Sequence, residues 1–201
     1  MKKLLVVAVI VMIGAGVAGW YLFESQPAAK PTQVAAPNKQ EAKLNPNEHG
    51  FFDVDFAQKM IVHHQQAIEM TDIILASSSN QAIRTLATDI RNSQSDAEAQ
   101  YKKWLGEWGE TYTNLADFPQ TDGHDLYPSY PGLVSSANMM LLRSASGSEA
   151  EKPFISLMTE HHKGGIETGE MSRKLQYGKM IEFKDKVFTG YKDDLERMKE
   201  L

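Results

Sequence analysis

Two stretches of the sequence hold the residues best suited to chemistry. The first runs Phe56, Met60, His63, His64, Ala67, Ile68, Glu69, Met70; the second runs Phe154, Met158, His161, His162, Gly165, Ile166, Glu167, Thr168. The offset between copies is constant and the matches are dense, the signature of an internal repeat. Imidazole and thioether together are borderline-to-soft donors. Sulfur favours Cu(I), imidazole accepts copper or zinc, and neither suits magnesium or calcium. The chain has ten Met and no Cys, so a soft-metal site must be built from Met sulfur and His nitrogen.

Helical spacing supplies the geometry. At ~100° per residue, Phe56, Met60, His63, His64 and Ala67 fall on one stripe, and Phe154, Met158, His161, His162 and Gly165 repeat it. Adjacent histidines diverge too far to clamp one ion unaided, so each needs partners elsewhere. Met60 stands one turn before His64, and Met158 one turn before His162. Met70 or a facing helix would complete the flank that His63 and His161 point to. The small residues Ala67 and Gly165 would let the two helices approach. The candidate ligands are therefore His63, His64, His161, His162, Met60, Met158 and Met70. His49 and His124 are accessory candidates. The rival reading takes the methionines as core filler, which is the usual role of Met at helical spacing. Four imidazoles on apolar stripes are harder to dismiss, because burying them costs free energy unless each finds a partner.

The elements carrying these residues read as helices. Helical periodicity runs from Glu48 to the end, with no alternating strand pattern. The pattern predicts helices over 51–76, 81–108, 134–143, 149–177 and 179–201. The Ser77–Asn80 run, Gly109, Ser146-Gly147-Ser148 and Gly178 punctuate them, with Pro153 in a first turn and a Pro- and Gly-containing loop over 110–132. Two long hairpins, each opened by one repeat, make an all-α four-helix bundle from a duplicated hairpin.

The flanks set the surroundings. Leu4 to Phe23 is apolar and uncharged after Met1-Lys2-Lys3, long enough as a helix to span the ~30 Å hydrocarbon core. Residues 1–23 are thus expected to be a signal-anchor, or a cleaved signal peptide with a small-x-small site at Gly16-Val17-Ala18. Either way the domain is exported: to the periplasmic or extracytoplasmic face of the cytoplasmic membrane, or secreted. Residues 24–47, with four prolines, read as a tether, and 48–201 as the domain. The net charge of −5 divides into +3 over 1–47 (five Lys, two Glu) and −8 beyond it. An acidic domain without a basic stripe argues against nucleic acid as a partner.

The double M-x-x-H-H pattern, followed by Trp104-Leu105-Gly106-Glu107-Trp108-Gly109, resembles the bacterial "domain of unknown function 305" (DUF305) family over about residues 50–201. The resemblance is closest to its copper-binding, copper-resistance members. It implies a ferritin-like bundle, export or membrane anchoring, and copper or silver binding by Met60, His63, His64, Met70, Met158, His161 and His162. Gly165, Thr168 and Tyr101 stand where Ala, Met and often Met are usual, and the Met-rich middle segment is reduced to His124 and Met139-Met140. These departures lower the expected number of copper sites.

The expectation is a non-enzymatic protein that chelates, buffers or hands over copper, with silver or zinc as lesser candidates. A metal-transfer partner and homo-oligomers are compatible with it. Two alternatives differ in class. One is a metal-free, membrane-anchored adaptor using Trp104 and Trp108 as an exposed patch. The other is a di-metal enzyme, which needs Glu-x-x-His motifs. The residues three before the four histidines are Met60, Ile61, Met158 and Thr159, and Glu69 and Glu167 lie opposite the stripe.

Overall fold

A computed structural model describes residues 45, 47–117 and 130–201. The anchor assigned to 1–23, nearly all of the 24–47 tether and His124 lie outside the described residues. Five helices follow in order: α1 (Phe51–Ser77), α2 (Gln81–Trp108), α3 (Ser136–Ser144), α4 (Ser148–Met171) and α5 (Gly178–Lys199). No strand occurs among the described residues, and no helix among them is long and apolar enough to cross a membrane. α1 packs on α2 and α4, and α5 closes the bundle against α4 and α2.

Local chemistry explains most helix ends. Asn80 caps α2, its Oδ1 accepting from Ala82 N–H at 3.0 Å. Gly109 ends α2 in the left-handed region, φ 73°, where a Cβ would be strained. Ser135 Oγ caps α3 through Asn138 N–H. Two expectations for α4 fail. Pro153 falls in its second turn, where it removes a donor to the carbonyl of exposed Glu149. The helix also stops at Met171 instead of Tyr177. A contact remote in sequence is incompatible with the longer helix. The buried Asp53 carboxylate in the first turn of α1 accepts N–H bonds from Gln176 and Tyr177 at 3.1 Å each and from Gly50 at 2.8 Å. A continued helix would have spent the first two donors internally.

The core has two clusters. Phe56, Met60, Ile61, Tyr101, Leu105 and Phe188 belong to one; Ala67, Met70, Ile74, Phe154, Met158 and Met198 belong to the other. α1 passes from the first cluster to the second, while α4 passes from the second towards the first. On both helices the histidine pair lies between the two.

The connection between hairpins is fastened at both ends by α1. Gln65 Oε1 accepts Leu115 N–H at 2.6 Å, and Gln66 Oε1 accepts Val134 N–H at 2.6 Å. Gly132 (φ 86°) then presses backbone to backbone on Gly164. A Cβ on Gly164 would stand 2.2 Å from the Gly132 Cα.

Candidate metal centre

The four motif histidines are buried, none more than 2% exposed. The repeat brings them together across α1 and α4. The His63 and His161 rings lie 3.7 Å apart between centroids, tilted by 34°. His64 and His162 flank them, each 6.3 Å from its sequence neighbour. Gly165 makes this approach sterically feasible. A Cβ there would meet Tyr191 Cε2 at 2.6 Å and His63 Cε1 at 2.8 Å.

Hydrogen bonds define what each ring can offer. His63 Nε2–H donates to the His161 carbonyl at 3.1 Å, leaving Nδ1 with its lone pair. His64 Nδ1–H donates to the Met60 carbonyl, leaving the Nε2 lone pair. His162 Nε2–H donates to Asp194 Oδ2 at 3.3 Å, leaving Nδ1. Asp194 is held in turn by Arg197. A ring N–H given to a carbonyl or carboxylate fixes tautomer and orientation, the arrangement typical behind metal-bound imidazoles. Among the described residues, His63 Nδ1, His162 Nδ1 and both ring nitrogens of His161 are buried without a protein partner. Each such atom costs ~1–3 kcal/mol, and a bound cation would satisfy the lone pairs among them.

Electrostatics keep those lone pairs available. Burial, with repulsion from His64 and His162, holds His63 well below the ordinary 6.5 of imidazole. Burial likewise depresses His161, with His63 its strongest neighbour, and lowers His64 to about 4. All three are therefore neutral donors at neutral pH. Burial raises the Tyr101 and Tyr191 phenols, so neither supplies an anionic oxygen there.

The predicted ligands divide. The four imidazoles gather at the crossing of α1 and α4. Met60 packs in one core cluster, and Met70 and Met158 pack in the other. Among the described residues no three His, Asp or Glu side chains already surround one point as ligands. The donors fit copper in type, buried neutral imidazole with thioether in the adjoining core. His49 is stacked on Trp108 at 4.3 Å, and Trp104 is buried, so the aromatic pair belongs largely to packing. Glu69 faces Arg143 at the surface, away from the histidines.

Sequence reasoning missed Tyr191, Gln94 and Asp194. Tyr191 Oη lies 3.2 Å from His64 Nε2 and 3.3 Å from Gln94 Oε1, and its ring is 4.4 Å from that of His162. A signal existed on α5, where Asp194 interrupts the apolar series Phe188, Tyr191, Met198. An acid on a buried stripe calls for a partner.

The family model described as "Domain of unknown function (DUF305)" matches residues 53–201. No curated protein matches the chain. Among solved structures, a putative secreted DUF305 protein from Streptomyces coelicolor is 27% identical, with TM-score 0.64, covering 73% of this chain and 89% of its own. A DUF305 fragment from Deinococcus radiodurans is 24% identical, with TM-score 0.66, covering 76% and 95%. CopM in its Cu(II)-bound form is 20% identical, with TM-score 0.61, covering 74% and 93%. The last two likenesses establish a shared fold.

Proposed function

The chain belongs to the DUF305 family, and on that premise we propose that it is an extracytoplasmic, non-enzymatic copper-binding protein. It chelates the ion at the α1–α4 crossing and buffers it or hands it on. One observation carries the reading: four buried imidazoles, three with one N–H already committed, whose remaining lone pairs are mostly unpartnered. CopM, of the same fold, has been solved with Cu(II) and with Cu(I). His63, His64, His161 and His162 are the proposed nitrogen ligands, with Met60, Met70 and Met158 as the nearest sulfur reserve. Burial holds three of the four rings neutral, and Asp194 is the carboxylate bonded to the fourth. That favours monovalent Cu(I), with silver as its mimic, over zinc, because a divalent ion in an apolar core needs more compensating charge.

The bundle is read as ferritin-like, without the carboxylate ligands that a di-metal enzyme requires. Export follows from the 4–23 apolar segment, which serves as the membrane anchor in this reading. The secreted assignment of the Streptomyces relative supports it. Titration of the purified domain with Cu(I), Cu(II) and Zn(II), repeated on His63→Ala/His161→Ala, tests the proposal. Stoichiometric, histidine-dependent copper binding is the expected result. Iron binding with oxygen consumption would favour an enzyme, and no tight binding of any ion would leave an adaptor.

A further inference from the structure

A cleft of about 240 Å³ enters the bundle between α2 and α5 and ends on His64 and Tyr191. None of His63, His161 and His162 lines it. Ser93 and Ala97 on α2 and Gly190 on α5 are the small residues on its walls, beside the larger Phe183, Lys186 and Val187 of α5. A Cβ built on Gly190 meets nothing within 4 Å. Exposed Asp96 and Lys186 stand on the lining with opposite charge, so the mouth attracts neither sign strongly.

At the floor, Tyr191 Oη lies within reach of two acceptors, His64 Nε2 at 3.2 Å and Gln94 Oε1 at 3.3 Å. His64 carries its proton on Nδ1, which is committed to the Met60 carbonyl. Its Nε2 can therefore only accept. A hydroxyl has one proton, so Tyr191 can serve His64 or Gln94 but not both at once. When the proton turns to Gln94, the His64 lone pair faces the cleft unprotected.

We infer that the α2–α5 cleft is the port by which the ion reaches the imidazoles, and that it enters by displacing Tyr191 Oη from His64 Nε2. Gln94 receives the displaced hydroxyl. His64 is the first ligand met, and Tyr191 is a positioning residue that holds its place until an ion arrives. The identity of the ion rests on the copper reading; the port does not.

Gly190→Leu puts a side chain into the opening at a helical position with room for it, and Leu favours the helix over Gly. Gly106→Leu, also with nothing within 4 Å but away from the cleft, is the control. Stopped-flow mixing with Cu(I), kept reduced, should show Gly190→Leu slowing association and dissociation alike, by about tenfold, with affinity nearly unchanged. Tyr191→Phe should speed association about fivefold, the equivalent of one neutral hydrogen bond. Equal rates in Gly190→Leu and Gly106→Leu would overturn the port.

Diethyl pyrocarbonate, which acylates neutral imidazole nitrogen, answers without metal. His64 should react before the other three motif histidines and be protected in Gly190→Leu. Indiscriminate reaction, or no protection, would sink the inference even if copper binds. Selective protection without copper binding would sink the copper reading and leave the port standing.

Discussion

The two copies of the repeat hold the same histidines but treat them differently. In the first, His63 and His64 both give an N–H to a backbone carbonyl, and Tyr191 covers the remaining lone pair of His64. In the second, His162 gives its N–H to a carboxylate, Asp194, and His161 has no partner for either nitrogen among the described residues. The small residues differ in step: Ala67 suffices in α1, whereas Gly165 in α4 must leave room for Tyr191 and His63. The two copies share the donors, and the supporting residues differ. α5 now serves both copies, Tyr191 for the first and Asp194 for the second. The first pair is the guarded one, and the second holds the ring backed by a carboxylate and the unsatisfied ring.

The largest expected effect is acid sensitivity of the metal-free protein. His63, His64 and His161 have folded-state values below those of the unfolded chain. Unfolded imidazoles take protons below about 6.5 while the folded ones refuse, so stability is full above that pH and falls with acidification. Each refused proton costs ~1.4 kcal/mol per pH unit. For His64, which refuses down to about 4, the loss reaches about 3 kcal/mol. Urea unfolding between pH 7 and 4 should show the fall, and His63→Ala/His161→Ala should flatten its slope to roughly a third. An unchanged slope would mean that the rings ionise freely. The same burial revises the expectation from free imidazole. Copper should still hold somewhat below pH 6.5, until the fold itself gives way.

Next in size is the loss of metal affinity. His63→Ala/His161→Ala removes one ring from each copy and should weaken Cu(I) binding by at least ~100-fold, or 2.7 kcal/mol. Competition titration with a Cu(I) chelator measures it. Supporting residues should move affinity in opposite directions. Asp194→Asn should weaken binding by ~10-fold, because His162 loses the carboxylate that sets its tautomer. Tyr191→Phe should tighten it a few-fold, because His64 gives up one hydrogen bond fewer. Changes of the same sign would erase the distinction between a guarded and a supported copy.

The smallest effect exchanges the small residues. Gly165→Ala should destabilise by ~1–2 kcal/mol, overpacking against Tyr191 outweighing the helix-propensity gain. Ala67→Gly should cost ~1 kcal/mol through propensity alone. Thermal unfolding separates the two, since only Gly165→Ala disturbs the His63 ring.

Much of this was legible in the chain. Apolar periodicity with the Ser77–Asn80 run, Gly109 and Ser146-Gly147-Ser148 located the helices, because their stops are local. The end of α4 was not, because the residues that exclude a helix up to Tyr177 include Asp53, far away in sequence. The imidazole cluster was readable because its members repeat. Tyr191, Gln94 and Asp194 were not, since they belong to no motif and matter only through which helix faces which. Met70 and Met158 lie on the predicted stripe, yet packing takes them into a different core cluster from Met60.

Gln65 and Gln66 fasten the inter-hairpin connection on one helix, and Gly132 is locked against Gly164 at its far side. Gln65 and Gln66 directly follow His64, so the helix that carries the first histidine pair is also the one to which the chain is tied before and after the connection.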